Sequence, residues 1–314
     1  MFATRRDVND YLTKKNFFPE FKIIGKRSGL SNCNYIIETP KGKYILRANK
    51  IKPSGSTNLL VDEYNVLKFF SELKLDFVPK TVFFDEEKNI HLLSYIEGRK
   101  IRFRNISQKG MEQAIAKLYQ INLLADKFLD YCLKNNLTFK SPKSEVDRLR
   151  IRIEKKINDV NDDSIFSETK KWVIRRLEED FPRQKIDQTR IFLNHGDPAD
   201  NLILNKGNIS IIDWEYSRLT YGPGLVHILA HGSMGKEKEE KLLQFYSKIS
   251  GEPVAELRYQ TYLEKNLHYL LKMAKICFRH QEGILPEYMD VENLKKTLER
   301  LTYNYNKIKK TIQE

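Results

Sequence analysis

The chain has 314 residues, 31% of them charged and 40% hydrophobic, which suffices for one large domain or two moderate ones with their own apolar cores. The formal charge of +13 comes from Lys and Arg interleaved with Asp and Glu rather than from a basic block, so nucleic acid is not expected as a partner and a lysine-rich surface is. No apolar run is long enough to span a bilayer, so membrane insertion is not expected, and the polar opening Met1–Asp10 does not read as a secretory signal.

In chain order, Phe21–Gly25, Asn34–Thr39 and Lys43–Ala48 are rich in Ile, Tyr and Leu and read as strands, with Pro40-Lys41-Gly42 as a hairpin turn. Asp62–Leu73 places Val66, Leu67, Phe69, Phe70 and Leu73 at a helical period. Extended segments follow at Lys80–Phe84 and Ile90–Ile96, and Glu97-Gly98 closes this half. Helices then dominate: Met111–Asn135, and the charged segments Lys143–Asp159 and Glu168–Phe181. A strand-rich interruption spans Arg190–Trp214, before long helices at Lys236–Ser250, Pro253–Gln281 and Val291–Thr311. This order predicts an α+β architecture, with a β-rich lobe over residues 1–97 and a large, mainly helical lobe over 98–314 that holds a β-hairpin. Cys33, Cys132 and Cys277 are odd in number, far apart and lack a Cys-x-x-Cys spacing, which fits a reducing cytoplasm better than a disulfide framework or a zinc site.

The most informative segment is Asn194-His195-Gly196-Asp197-Pro198-Ala199-Asp200-Asn201, followed by Ile211-Ile212-Asp213-Trp214-Glu215. An apolar strand, Ile191–Leu193, delivers a polar loop with two Asp and an Asn. A hairpin turning near Lys206-Gly207 then brings Asp213 back beside it. Carboxylates and an amide at one rim of a rigid scaffold suit magnesium that carries a nucleotide, since that ion takes one or two carboxylates plus phosphate oxygens. The two strings resemble those of the aminoglycoside phosphotransferase and choline kinase superfamily, relatives of the protein kinases, and come closest in motif to choline and ethanolamine kinases. The resemblance implies a bilobal protein-kinase-like fold that uses ATP and Mg2+ to phosphorylate a small-molecule alcohol. It implies Asp197 as the catalytic base, Asn201 and Asp213 as metal ligands, and His195 as a brace for the loop.

One departure is that the kinase pattern places the Asn five residues after the base, whereas Asn201 follows Asp197 by four, and Asp200 stands where many relatives have Gly. Either the loop closes more tightly and Asn201 still reaches metal, or Asp200 takes over, or the protein binds nucleotide without transferring phosphate.

The N-terminal half matches in three further places. Gly25–Tyr35 joins two strands through a small polar loop that can donate backbone N–H groups to phosphates; it resembles the Ser-Asn-x-Asn-Tyr nucleotide loop of choline kinase relatives, which implies Ser28, Asn32 and Asn34 as nucleotide contacts. Arg47 stands where protein kinases have the phosphate-gripping Lys, and Glu63 on the next helix is its implied partner. Leu92–Gly98 resembles the hinge between lobes, which implies Ser94, Tyr95 and Ile96 as adenine contacts.

The acceptor is less constrained. Asp213–Tyr216 is close to the corresponding run of choline and ethanolamine kinases, so such an amino alcohol is favoured. An aminoglycoside or sugar is the alternative, with the positive charge counting against a polycationic substrate. Tyr259, Tyr262, Tyr269, Phe278 and Tyr288 could form an aromatic cage, although aromatics at helical spacing more often serve a core. His227 occupies a place where relatives often have a structural Asp, and reads as a buried, hydrogen-bonded residue.

Overall fold

A computed structural model describes residues 4–28, 32–49, 59–139, 142–181, 190–222, 228–229, 234–284 and 290–313. The chain divides into two compact units. The first comprises Met1–Lys117, Leu124–Phe139 and His195–Arg218, and the second Leu118–Leu123, Lys140–Asn194 and Leu219–Glu314.

The first unit is built on an antiparallel five-stranded sheet of order β1-β2-β3-β5-β4, from β1 (Lys22–Ser28), β2 (Asn32–Thr39), β3 (Gly42–Asn49), β4 (Thr81–Asp85) and β5 (Ile90–Ser94). Strand alternation sends Tyr35, Ile37, Leu46, Ala48, Ile90 and Leu92 into one core, which α1 (Arg5–Lys15) joins with Val8, Tyr11 and Leu12. The polar opening of the chain is therefore helical, a feature its composition does not suggest. A reciprocal cap starts α1: the Thr4 hydroxyl accepts from the Asp7 N–H and the Asp7 carboxylate accepts from the Thr4 N–H. The Tyr11 hydroxyl donates to Asp85 at 2.8 Å and pins α1 to the end of β4.

Helix α2 (Leu59–Glu72) buries Leu60, Val66, Leu67, Phe69 and Phe70. The Phe70 ring meets Trp214 edge-on at 4.9 Å, which joins α2 to the short 3-10 turn Trp214–Tyr216. A second sheet of order β10-β9-β6 contains β6 (Arg99–Ile101), β9 (Leu202–Asn205) and β10 (Asn208–Ile211). The expected hairpin joins β9 and β10, with Lys206 and Gly207 both at positive φ (48° and 84°), the conformation a two-residue turn requires.

The single helix expected over 111–135 is instead two, α3 (Gln108–Asn122) and α4 (Ala125–Lys134). The chain leaves the helical region at Leu124 (ψ 5°), with Leu123 half-exposed, so an apolar pair sits at the break and the hydrophobic pattern runs on without a Gly or Pro to mark it.

In the second unit, α5 (Glu145–Asn158), α6 (Ser167–Asp180), α8 (Val254–Gln281) and α9 (Val291–Gln313) share a core. Leu149, Ile153 and Ile157 meet Leu267, Leu270, Ala274 and Cys277 there, flanked by Val173, Leu177, Leu294 and Tyr305. Helix α7 (Lys236–Ser250) ends at Gly251 in the left-handed conformation. A small sheet of order β7-β11-β8 is made by β7 (Lys143–Ser144), β8 (Ile191–Asn194) and β11 (Arg218–Tyr221). All three cysteines are buried outside any disulfide, and burial pushes the Cys132 thiol up to about 11. Among the described residues, no helix is long and apolar enough to cross a membrane.

Asp180 ties α6 to α9: it accepts from the Tyr305 hydroxyl at 2.6 Å and pairs with Lys309 at 2.7 Å. Burial works to raise its carboxyl, but these two partners outweigh it and hold it below the usual value. A depressed carboxyl stabilises the fold above the unfolded pKa and loses that contribution as pH falls through the folded one. Asp180→Asn is therefore expected to lower the Tm at pH 7, with the gap to the parent protein closing below about pH 4 in thermal melts across pH.

Candidate functional site

Cross-strand register places Asn34 on β2, Arg47 on β3 and His91 on β5 in one row of the sheet. Three polar residues in a mostly apolar sheet need partners, and Glu63, completely buried on α2, supplies the first of them. One guanidinium nitrogen of Arg47 donates to Glu63 Oε1 at 2.6 Å. The other donates to Asp213 at 2.7 Å and to Glu215 at 3.1 Å. Glu63 Oε1 also accepts the backbone N–H of Trp214 at 3.1 Å, while its Oε2 lies 3.4 Å from the His91 ring. Asn32, at the start of β2, donates to Glu215 at 2.5 Å. Four chain segments thus converge on one buried arginine.

The electrostatics follow from three carboxylates around one cation. Burial opposes the charge on Arg47, but Glu63, Asp213 and Glu215 outweigh it and raise its affinity for the proton. Burial also works against Asp213, yet Arg47 holds its carboxyl below the usual range. Glu215 goes the other way: burial, helped by Asp213 and Glu63 against the pull of Arg47, pushes it up to about 7. The buried cluster is short of positive charge.

Asp213 itself sits in the left-handed conformation (φ 70°, ψ 61°), which turns its carboxylate out of β10 as Trp214 begins the 3-10 turn. Facing it is the loop after β8. His195 is buried and neutral, with burial pulling its pKa down to about 4. The neutral ring is saturated: Nε2–H donates to the Ile212 carbonyl at 2.8 Å and Nδ1 accepts the Asp197 N–H at 3.2 Å. Gly196 (φ +85°) follows, where a Cβ would lie 2.1 Å from the Tyr216 carbonyl oxygen, so no other residue fits.

Asp197 is partly buried, and among the described residues nothing donates a hydrogen bond to its carboxylate. Burial raises its pKa, with repulsion from Asp213 and Asp200 adding to the effect and Arg218 and Lys100 opposing it. Asn201 is buried four residues on; its amide N–H donates to the Asp197 carbonyl at 2.8 Å and its oxygen accepts from Lys100 Nζ at 3.2 Å. The Asn201 carbonyl in turn accepts from the Ile212 N–H at 3.0 Å, which locks the loop to the strand that leads to Asp213. Asp200 points elsewhere, exposed and 3.7 Å from Arg102.

Most of the residues expected from sequence are therefore gathered in the first unit: Asn32, Asn34, Arg47, Glu63, Asp197, Asn201 and Asp213. Ser28 ends β1 opposite Cys33, and residues 29–31 of the proposed phosphate loop lie outside the described residues, as do His227 and Tyr288. At the hinge, the Ser94 N–H is bonded to the Lys80 carbonyl (2.9 Å) and the Tyr95 N–H to the Lys43 carbonyl (3.1 Å). Among the described residues the Ile96 N–H has no such backbone partner. Lys100 was not anticipated, because nothing in Gly98-Arg99-Lys100 announces a residue that reaches Asn201 across two strands. Glu215 braces Asn32 and Arg47.

No group of three His, Cys, Asp or Glu side chains able to hold a metal occurs among the described residues. Magnesium bound with a nucleotide does not need one, since phosphate oxygens and water complete its shell. The available donors fit that ion: one carboxylate (Asp213) and one amide oxygen (Asn201), each now facing a protein cation. Buried polar atoms without a partner among the described residues, Asn32 Oδ1, Asn34 Oδ1 and Arg47 Nε, lie in the same cluster. Removing Arg47 strands Glu63 and Glu215 as buried charges, so Arg47→Ala is expected to cost roughly 3 to 5 kcal/mol of stability in denaturant unfolding.

Comparison with solved structures returns the same fold over nearly the whole chain. A choline/ethanolamine kinase family protein from Mesorhizobium loti matches with a TM-score of 0.59 at 16% identity, covering 96% of this chain and 97% of that one. The choline kinase LicA from Streptococcus pneumoniae gives 0.58 at 18% identity, over 96% and 98%. The streptomycin–ATP complex of APH(2")-IIa gives 0.60 at 14% identity, over 98% and 99%. No curated protein matches the chain by sequence. At these identities the likeness establishes the protein-kinase-like α+β fold. The sequence profile of the phosphotransferase enzyme family (APH) matches residues 22–221, which span both the Arg47 cluster and the Asp197 loop, and the chain belongs to that family.

Proposed function

We propose that the protein is an ATP- and magnesium-dependent kinase that transfers phosphate to a hydroxyl of a small molecule, with an amino alcohol of the choline or ethanolamine kind as the favoured acceptor. The observation that carries this reading is the Asp197 carboxylate. It is partly buried, held above its usual pKa and free of hydrogen-bond donors among the described residues, beside two oxygen donors that each face a cation. An acceptor hydroxyl needs such a group, available to take its hydrogen bond and then its proton.

The remaining roles follow from position. Asn201 and Asp213 would hold magnesium, which supplies neutralisation of the charge on the transferring phosphate. Arg47, fixed by Glu63, offers its planar fork to phosphate oxygens. Asn32 and Asn34, with Ser28, would contact the phosphates from the ends of β1 and β2, and Ser94, Tyr95 and Ile96 would contact the adenine. In this reading residues 1–97 grip the nucleotide, and residues 98–314 carry the catalytic loop and the acceptor site. The tight hydrogen bond from Asn201 to the Asp197 carbonyl, with Asp200 turned toward Arg102, supports Asn201 over Asp200 and supports an active enzyme despite the shorter loop. Three buried cysteines outside any disulfide fit a cytoplasmic setting.

The acceptor assignment rests on the Asp213–Tyr216 run and on the choline kinases among the similar structures. Of the aromatic candidates, Tyr269 and Phe278 pack against the helical core, while Tyr259 is 44% exposed and Tyr262 partly buried. The aminoglycoside reading is supported by the likeness to APH(2")-IIa.

A magnesium- and ATP-dependent screen of choline, ethanolamine, aminoglycosides and sugars is expected to find one strongly phosphorylated alcohol. Asp197→Asn is expected to lower that turnover by about 10^2 to 10^4 while nucleotide binding persists. A carboxyl whose folded pKa is raised penalises the fold once it ionises, so the same substitution is expected to leave the Tm at pH 7 unchanged or higher. Silence toward every alcohol, with ATP still bound in a thermal-shift assay, would favour a nucleotide-binding protein without transferase activity.

A further inference from the structure

The second unit holds a charge cluster that the site above does not use. On α8, Lys272, Lys275 and Arg279 recur at spacings of three and four and share one face of the helix. Helix α5, packed against α8 through Leu149, Ile153 and Ile157, contributes Arg152 and Lys156. Lys275 is half-buried at the centre of the group. Burial is the largest influence lowering its ammonium pKa, followed by Arg152, Arg279, Lys156 and Lys272. Among the described residues, no carboxylate comes within ion-pair distance of Lys156, Lys272, Lys275 or Arg279. Lys156 is held over the Phe278 ring at 3.5 Å and Lys272 lies 5.7 Å from the Tyr269 ring, so two of the stems rest on aromatic faces.

A half-buried ammonium among like charges is destabilising by itself, and an anion that reaches it removes both penalties. The dimensions limit what that anion can be. The three α8 residues span about 10 Å of helix, and packed helix axes stand about 8 to 10 Å apart. This matches two or three linked phosphates rather than the long, evenly charged track of a nucleic acid. A recessed central lysine also suits a small anion that can enter between its neighbours better than a flat bilayer surface.

We propose that this face of α5 and α8 is a binding site for a small, multiply charged phosphate compound, formed by Lys156, Lys272, Lys275 and Arg279 together with Arg152. None of these residues belongs to the Arg47 cluster, and the proposal stands whether or not the kinase assignment does.

Isothermal titration of the full chain with sodium tripolyphosphate, in the presence of saturating magnesium and a non-hydrolysable ATP analogue, reads this face without the nucleotide site. The parent protein is expected to bind one equivalent, more weakly as salt rises. Lys275→Gln combined with Lys272→Gln and Arg279→Gln is expected to weaken binding at least about 10-fold. The exposed pair K272Q/R279Q, which leaves the packing between the helices intact, is expected to shift affinity in the same direction. Absence of binding by the parent protein, or equal affinity in the parent and both variants, would overturn the site. Tighter binding of single-stranded DNA or of phosphatidylglycerol vesicles than of tripolyphosphate, lost in the same variants, would overturn the small-ligand assignment.

Discussion

The architecture of the site depends on one buried guanidinium shared among three carboxylates. Arg47 meets Glu63, Asp213 and Glu215, residues that come from a helix and from the turn after a hairpin more than 150 residues away in sequence. Each carboxylate alone would be expensive to bury, and so would the arginine. Together they are tolerable, and the tolerance holds at one relative placement of β3, α2 and the Trp214–Tyr216 turn. A lysine could neutralise one of these groups but could not span three in a plane, which is the physical reason an arginine stands here.

A second layer of constraint acts through backbone groups. The saturated His195 ring fixes the start of the Asp197 loop against Ile212, and the Asn201 carbonyl fixes its end against the same residue. Asp213 then follows at once in a left-handed conformation. The loop that carries Asp197 and the strand that leads to Asp213 are thus registered at two points, without asking either carboxylate to make the bond. Among the described residues the Asp197 carboxylate has no hydrogen-bond donor, because its neighbours do the holding.

The chemistry-bearing strings were legible because they are local: a polar loop between apolar strands, a turn at Lys206-Gly207, and an acidic turn beyond. The α+β order and most helices were legible for a similar reason, since their apolar periods are regular. Helix α1 was not, because it buries just three residues, Val8, Tyr11 and Leu12, within a polar stretch, and its cap closes with Asp7 rather than Glu. The break between α3 and α4 was hidden because Leu123 and Leu124 continue the apolar pattern through it. The contact of Lys100 with Asn201 and that of Glu215 with Asn32 join residues about 100 and more than 180 positions apart, which no local pattern encodes. The same holds for the placement of the Asp200 side chain, which lies beside Arg102.

Glu63 has a consequence beyond charge balance. Its two oxygens hold Arg47, the Trp214 N–H and the His91 ring, so helix α2 is fastened at once to the sheet and to the turn that bears Asp213. Phe70 against Trp214 adds an apolar fastening one face further along the same helix. An inhibitor that prised α2 from this position would unseat the arginine and the acidic turn in a single movement.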